Sequence, residues 1–336
     1  MSDRAIRPPW TQPGWLERAT AWIHVELRRQ GIRVNGPIAQ PHVRPWSTVL
    51  RASTTAGVIF FKATAPVIAH EPALTFALSR WRPDCMLPVL AIDRERGWML
   101  MPDGGTTLRS LIRATRDIRA WHKALPLYAE VQIEMAGRVD ELLVLGTPDR
   151  RLASLPAQFE QLLADTDALR LDLPYGLASE EYRRLRALAP KFAALCEQLA
   201  GYRVPETLHH GDFHDGNVFV RGGRYVFFDW GDSCLTHPFF SLRTVLVSIE
   251  NSIGEEAAVA AFEPLRDAYL EAWTRYESRQ NLLAAFNLAQ RLWMIPSALG
   301  WHRALSGLEE SLKEEYGHAV PALLQEFLET EAKASA

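Results

Sequence analysis

The run Pro102-Asp103-Gly104-Gly105 divides the chain into two stretches with different hydrophobic periods, and no other feature restricts the fold as much. Proline and glycine clustered this tightly end regular structure. Before the run, short segments rich in Val, Ile, Phe and Thr read as strands. After it, nearly every apolar pattern has the 3.6-residue helical period. Strands segregated from helices predict an α+β architecture rather than alternating βαβ units.

Within the first stretch, Pro8-Pro9 and Pro13-Gly14 precede a helix expected over residues 15–30 and stopped by Gly31. Strands are expected at 47–53 and 57–63 around the turn Thr54-Thr55-Ala56, then a helix over 69–81. Two more strands are expected at 86–92 and 97–101, around the fully charged turn 93–96. In the second stretch helices are expected over 108–114, 118–145, 151–167 and 180–200, with four more stretches after Pro238. The last of these should open on a capping box of Ser306 and Glu309. One β island interrupts the helices: residues 218–220 and 225–228, joined across Gly222-Gly223 as in a hairpin.

A chain of 336 residues, 48% apolar, exceeds the usual size of a single core, so two lobes are expected. The division placed from sequence is 1–101 for a strand-rich lobe, 102–105 for a hinge and 106–336 for a helical lobe. The net charge of −3, with no basic block, speaks against a nucleic-acid partner. No segment is long and apolar enough to span a bilayer, and Met1-Ser2-Asp3-Arg4 begins no signal-peptide core. A cytoplasmic monomer or homodimer without membrane contact is therefore expected. Cys85, Cys196 and Cys234 are odd in number and scattered, which suits buried free thiols rather than disulfides. The eleven tryptophans are expected mainly in cores, with some free to line a pocket.

The densest polar cluster is His209-His210-Gly211-Asp212-Phe213-His214-Asp215-Gly216-Asn217, just before the β island. The hairpin should return Asp229 close to Asn217. A carboxylate and an amide oxygen converging in this way suit a hard cation such as Mg²⁺. Phosphoryl transfer needs such parts: one carboxylate to orient an acceptor hydroxyl and oxygens to hold the metal that bridges the phosphates. Asp212, Asn217 and Asp229 occur in the expected chain order. A zinc or di-metal site built on His209, His210, His214, Asp212 and Asp215 is the rival reading, but it leaves Asn217 and Asp229 unexplained.

The segment resembles the HGDxHxxN signature of the aminoglycoside phosphotransferase and choline kinase-like family, relatives of the protein kinases. Asp229-Trp230-Gly231 resembles their metal-binding DFG triplet, with Trp in place of Phe. The resemblance covers about residues 35–240. It implies a two-lobed protein-kinase-like fold, with a small antiparallel-sheet lobe and a mostly helical one. It implies transfer of the γ-phosphate of ATP, with Mg²⁺, to a hydroxyl of a small molecule such as an aminoglycoside, choline or a sugar. Asp212 would be the catalytic acid–base, Asn217 and Asp229 the metal ligands, and His210 a brace. His214 would stand near the transferred phosphate. A non-catalytic nucleotide-binding relative is the alternative, although the residues whose loss would mark one are all present.

A kinase-like chain needs a strand lysine for the α- and β-phosphates, paired with a helix glutamate. Lys62 is the only lysine in the first hundred residues, and Glu71 is its nearest acid on the following helix. The turn before Ser47 lacks a glycine-rich cradle, leaving Arg44 and Ser47 as phosphate contacts. Residues 99–103 should link the lobes and meet the adenine through backbone groups. Pro102 has no N–H, so Met101 or Asp103 must donate. For the acceptor, Arg291, Trp293, Trp301 and Arg303 are candidates, whereas the pairs Glu255-Glu256, Glu309-Glu310 and Glu314-Glu315 read as solvated helix surface.

Overall fold

A computed structural model describes residues 7–306, 308 and 314–334. The chain divides into two compact units. The first comprises Met1–Ser110 and Gly216–Gly231; the second comprises Leu111–Asp215 and Asp232–Ser306, with the C-terminal helix. Among the described residues no helix is long and apolar enough to cross a membrane.

The first unit is built on β1 (Ala39–Val43), β2 (Ser47–Thr54), β3 (Gly57–Thr64), β4 (Ala91–Asp93) and β5 (Trp98–Pro102). They form one antiparallel sheet in the order β1-β2-β3-β5-β4. Helix α1 (Trp15–Arg29) lays Trp15, Ala19, Ile23 and Leu27, one stripe at four-residue spacing, on the face made by Leu50, Ile59, Phe61, Ala63, Trp98 and Leu100. The rings of Trp15, Trp22, Phe61 and Trp98 meet edge-on or tilted, with centroids 5.4–6.1 Å apart. Because side chains alternate along a strand, Ile59, Phe61 and Ala63 face α1 while Lys62 faces the opposite side. There helix α2 (Glu71–Trp81) begins, with Pro72 in its first turn, where the missing N–H would have been unpaired anyway.

Three differences from the sequence reading belong to this sheet. The strand expected at 86–92 shrinks to β4, because Pro88 offers no donor to a ladder; Met86 keeps only an isolated bridge to Phe227. The strand expected at 57–63 runs one residue further, to Thr64, whose N–H donates to the Gly97 carbonyl. β1 was not expected at all. It is an exposed edge strand carrying Pro41, without the apolar alternation that marks a strand in sequence.

The β island is part of the same unit. β6 (Thr106–Thr107), β8 (Val218–Arg221) and β9 (Arg224–Phe227) make a three-stranded sheet in the order β6-β8-β9. Gly222 and Gly223 take φ of +55° and +78°, as a two-residue primed turn requires. Gly104 allows close approach: a Cβ there would lie 2.0 Å from the Phe219 ring.

The second unit is helical. Helix α3 (Leu108–Thr115) begins in the first unit and ends in this one. The continuous helix expected over 118–145 splits at Gly137 into α4 (Trp121–Ala136) and α5 (Val139–Val144). The one expected over 151–167 becomes α6 (Leu155–Ala164) and α7 (Thr166–Leu169), separated by Asp165, whose side chain caps α7 at the Ala168 N–H. α8 (Ser179–Ala200) agrees with expectation within one residue. After Pro238 come α9 (Leu242–Ile253), α10 (Glu255–Glu271), α11 (Arg279–Ala289), α12 (Met294–Leu305) and α13 (Ala319–Lys333), five described helices where four stretches were expected. Of the expected capping box, Glu309 lies outside the described residues. Phe159, Phe192 and Phe327 join α6, α8 and α13 with ring centroids 5.1–6.0 Å apart. Two short strands, β7 (Thr207–His209) and β10 (Cys234–Thr236), pair antiparallel. None of the three cysteines is in a disulfide, and all three are buried.

Candidate active site

The charged centre of the first unit is Lys62. Its Nζ donates to Glu71 Oε1 and to Asp229 Oδ1, both at 2.6 Å. The three residues come from β3, the first turn of α2 and the end of the hairpin. Burial alone would lower the pKa of Lys62, but Asp229 and Glu71 outweigh it and hold the pKa well above the usual lysine value. The Glu71 side chain is fully buried, whereas that of Asp229 remains 43% exposed. Gly231 makes this approach possible, because a Cβ there would lie 3.1 Å from Glu71 Oε2 and 3.3 Å from Ile68 Cδ1.

Asn217 and Asp229 flank the hairpin. Val218 pairs with Phe227, and the Phe228 N–H donates to the Asn217 carbonyl at 3.3 Å, so the two ends of the hairpin are held side by side. Asp229 has a left-handed φ of +67°, unusual for a non-glycine residue and costly unless its surroundings enforce it. The ion pair with Lys62 is one such constraint. Among the described residues no group of three or more His, Cys, Asp or Glu side chains is arranged to hold a metal ion. One carboxylate and one amide oxygen instead suit Mg²⁺, which keeps water and phosphate oxygens in its remaining positions.

The polar loop from His209 to Asp215 belongs to the second unit and follows β7. Tyr128 on α4 supports it twice: its hydroxyl accepts the His210 N–H at 3.0 Å, and its ring stacks on Phe213 with centroids 3.9 Å apart. His209 Nδ1 accepts the Gly211 N–H at 3.0 Å, and His210 Nδ1 accepts the Asp212 N–H at 3.3 Å. Burial lowers the His209 pKa to about 3, which keeps the ring neutral in its accepting role. Asp215 is buried, with its N–H on Ser248 Oγ at 3.4 Å and its Oδ2 accepting from Ser252 Oγ at 2.7 Å. Two histidines and a carboxylate required by the zinc reading are thus engaged in bracing the loop. What remains outward is Asp212, 42% exposed, with His214 Nε2 3.2 Å from its Oδ2. Gly211 lies so close to the Asp232 carbonyl that a Cβ would fall 2.2 Å from that oxygen.

The other residues singled out from sequence have definite places. Ser47 is buried at the start of β2 and its carbonyl accepts the Arg44 N–H at 2.8 Å, while Arg44 itself is exposed. Met101 is buried opposite Phe60 in β5. The Asp103 N–H donates to the Val58 carbonyl in β3 at 3.1 Å, so it is not the adenine donor expected of it, and its Oδ1 accepts the Gly105 N–H within the linker. Arg291 forks onto the buried Glu331, both contacts at 2.9 Å, with Lys191 on the same carboxylate. Trp293 lies under Arg243, and Trp301 stacks on Tyr316. Glu255, Glu256, Glu314 and Glu315 are exposed; Glu309-Glu310 lies outside the described residues. Sequence reasoning missed Tyr128, Ser248 and Ser252, which carry no local signal because they reach the loop from helices far away in the chain.

Residues 75–282 match the phosphotransferase enzyme family. An aminoglycoside 3'-phosphotransferase from Enterococcus faecalis is 29% identical over 180 residues, 52% of this chain and 63% of the relative. The match therefore spans less than two thirds of that protein's length. Among solved structures, a choline/ethanolamine kinase family protein from Mesorhizobium loti superimposes with a TM-score of 0.57 at 14% identity, over 94% of this chain and 98% of the other. The choline kinase LicA from Streptococcus pneumoniae gives 0.55 at 14% identity, over 94% and 99%. At these identities the likeness is one of fold, the kinase-like α+β class.

Proposed function

The chain belongs to the phosphotransferase enzyme family, and from that membership we propose that it transfers the γ-phosphate of Mg-ATP to a hydroxyl group of a small molecule. The observation that carries this reading is the buried Lys62 ammonium held at 2.6 Å by both Glu71 and Asp229. Glu71 aims the lysine, and Lys62 offers a fixed cation to the α- and β-phosphates. Asn217 and Asp229 would hold Mg²⁺, which neutralises charge on the phosphates. Asp212 accepts the proton of the acceptor hydroxyl as its oxygen bonds to the γ-phosphorus and the bond to ADP breaks. His214, next to Asp212, faces the transferred group. Ser47 and Met101 complete the nucleotide side of the proposal, whereas the Asp103 N–H, spent on the Val58 carbonyl, is left out of it.

Two measurements test it. Mg-ATP at millimolar concentration should raise the thermal midpoint of the chain, and no shift would count against a nucleotide site. An ATP-consumption screen across aminoglycosides, choline, sugars, homoserine and nucleosides should find at least one acceptor whose turnover disappears in Asp212→Asn.

A further inference from the structure

The second unit contains a cavity of ≈ 300 Å³ lined by Arg150, Gln158, Gln161, Leu299, His302 and Arg303. That volume is at the lower end for ligand sites and suits one sugar ring or a small hydroxy acid. Its distinguishing property is charge. Arg150 is buried, and its Nη1 donates to the Pro296 carbonyl at 3.1 Å. The guanidinium rests against α12 at Gly300, where a Cβ would lie 3.3 Å from Nη1. Glycine inside a helix is unfavourable; here it makes room for Arg150. Three residues on, Arg303 has no hydrogen-bonded or ion-paired side-chain partner among the described residues, although burial and the charge of Arg150 both lower its pKa.

The acids around the cavity are committed elsewhere. Asp149, which also lines it, forks onto Arg151 at 2.9 and 2.7 Å, and Asp165 meets His302 Nε2 at 2.8 Å. Two like charges therefore share a small space, and the exposed Asp232 offsets only part of the unfavourable environment at Arg303, so an anionic ligand would still be favoured there. The cavity also lies near the polar loop. The Arg150 N–H donates to Leu235 in β10, β10 pairs with β7, and β7 leads into His210-Gly211-Asp212. Asp232 is close enough for its charge to act on Arg303, and its carbonyl abuts Gly211.

Resting on the phosphotransfer reading, we infer that this cavity is the acceptor subsite and that the acceptor is a small hydroxylated anion, its carboxylate or phosphate taken by Arg303 and Arg150. A polycationic antibiotic or a quaternary amine would meet the wrong charge here.

Calorimetric titration of the full chain with D-gluconate, D-glucose 6-phosphate, D-glucose and choline tests the inference and separates carboxylate from phosphate. One of the two anions should bind at least about tenfold more tightly than glucose or choline. Arg303→Gln should weaken that binding about ten- to a hundredfold while the thermal midpoint stays the same or rises, because a charge-assisted contact to the ligand is lost and a repulsion with Arg150 is removed. Gly300→Ala should also weaken it by displacing Arg150, with an equal or higher thermal midpoint. Choline binding more tightly than both anions, neither anion binding, or an Arg303→Gln chain of undiminished affinity would each overturn the inference. Arg303-dependent anion binding without ATP consumption for any acceptor would overturn the phosphotransfer reading and leave the anion site standing.

Discussion

Replacing Lys62 with methionine keeps most of the side-chain volume and removes the charge, so it isolates the ionic contribution of the Lys62–Glu71–Asp229 cluster. Glu71 is fully buried, and Lys62→Met strands its carboxylate without that cation. Breaking a buried pair from one side costs about 3–5 kcal/mol, because the remaining charge stays out of water. Glu71→Gln removes the buried charge and leaves Lys62 on Asp229. That contact is 43% exposed on the carboxylate side and screened by solvent, so the loss should be about 1–2 kcal/mol. The double variant should then lose less than the sum of the single losses, by about 1–3 kcal/mol. Urea unfolding followed by tryptophan fluorescence is the assay, with Trp15, Trp22 and Trp98 reporting from the opposite face of the same sheet. The sign of the pH dependence adds a control. The folded pKa of Lys62 is raised above its unfolded value of about 10.4. Its stabilisation is therefore complete below about pH 10 and lost only as pH rises through the folded pKa. The gap between wild type and Lys62→Met should be equal at pH 7 and pH 9. A loss below about 0.5 kcal/mol, strict additivity in the double variant, or a gap that closes by pH 9 would refute the reasoning.

Asp212→Asn should lower kcat by about 10²–10⁴ while leaving the Mg-ATP-induced thermal shift in place, read by steady-state ATP consumption and differential scanning fluorimetry; turnover within about tenfold of wild type rules out the proposed proton acceptor. Gly211→Ala must accommodate both a φ of +83° and a Cβ 2.2 Å from a backbone oxygen. It should lower stability by more than about 1–2 kcal/mol and abolish turnover, and an unchanged thermal midpoint contradicts the packing described. His209 and His237 are fully buried with pKa lowered to about 3 by burial, so between pH 6.5 and 3 the unfolded chain binds protons that the folded chain does not. Stability should fall as pH drops below about 6.5, by up to about 1.4 kcal/mol per pH unit for each ring. His209→Asn should reduce that slope by about one proton, as measured by urea titrations from pH 7 to pH 5.

Some parts of the site were legible in the sequence because chemistry restricts the residue types allowed. Lys62 was the only lysine available to the strand-rich stretch and Glu71 its nearest helix acid, so their pairing could be proposed without coordinates. The Gly222-Gly223 hairpin was equally legible, since only glycine satisfies two consecutive positive φ values at so little cost. The contact between Lys62 and Asp229 spans 167 positions of sequence, and nothing local to either residue announces it. The loop supports were hidden for the same reason. Tyr128 and Ser248 lie on helices whose apolar pattern is indistinguishable from ordinary core packing. Element ends were lost where one residue decided them: Pro88 shortened a strand, Gly137 divided a helix, and a capping Asp165 divided another.

Arg303 illustrates the opposite case, where sequence named a residue but its environment gave it meaning. Four side chains between positions 291 and 303 were equal candidates for an acceptor pocket, two arginines and two tryptophans. Arg291 is neutralised by Glu331, Trp293 is covered by Arg243, and Trp301 is stacked on Tyr316. Only Arg303 lines the cavity beside a second, fixed arginine. Two like charges side by side in a partly buried place are costly, and although Asp232 offsets part of that cost at Arg303, an anion bound between them would recover more of it. A neutral sugar would leave that cost in place, and a cation would add to it. The same physical rule that makes Lys62→Met destabilising, a buried charge deprived of its counter-ion, makes an anionic acceptor the one that this cavity is built to receive.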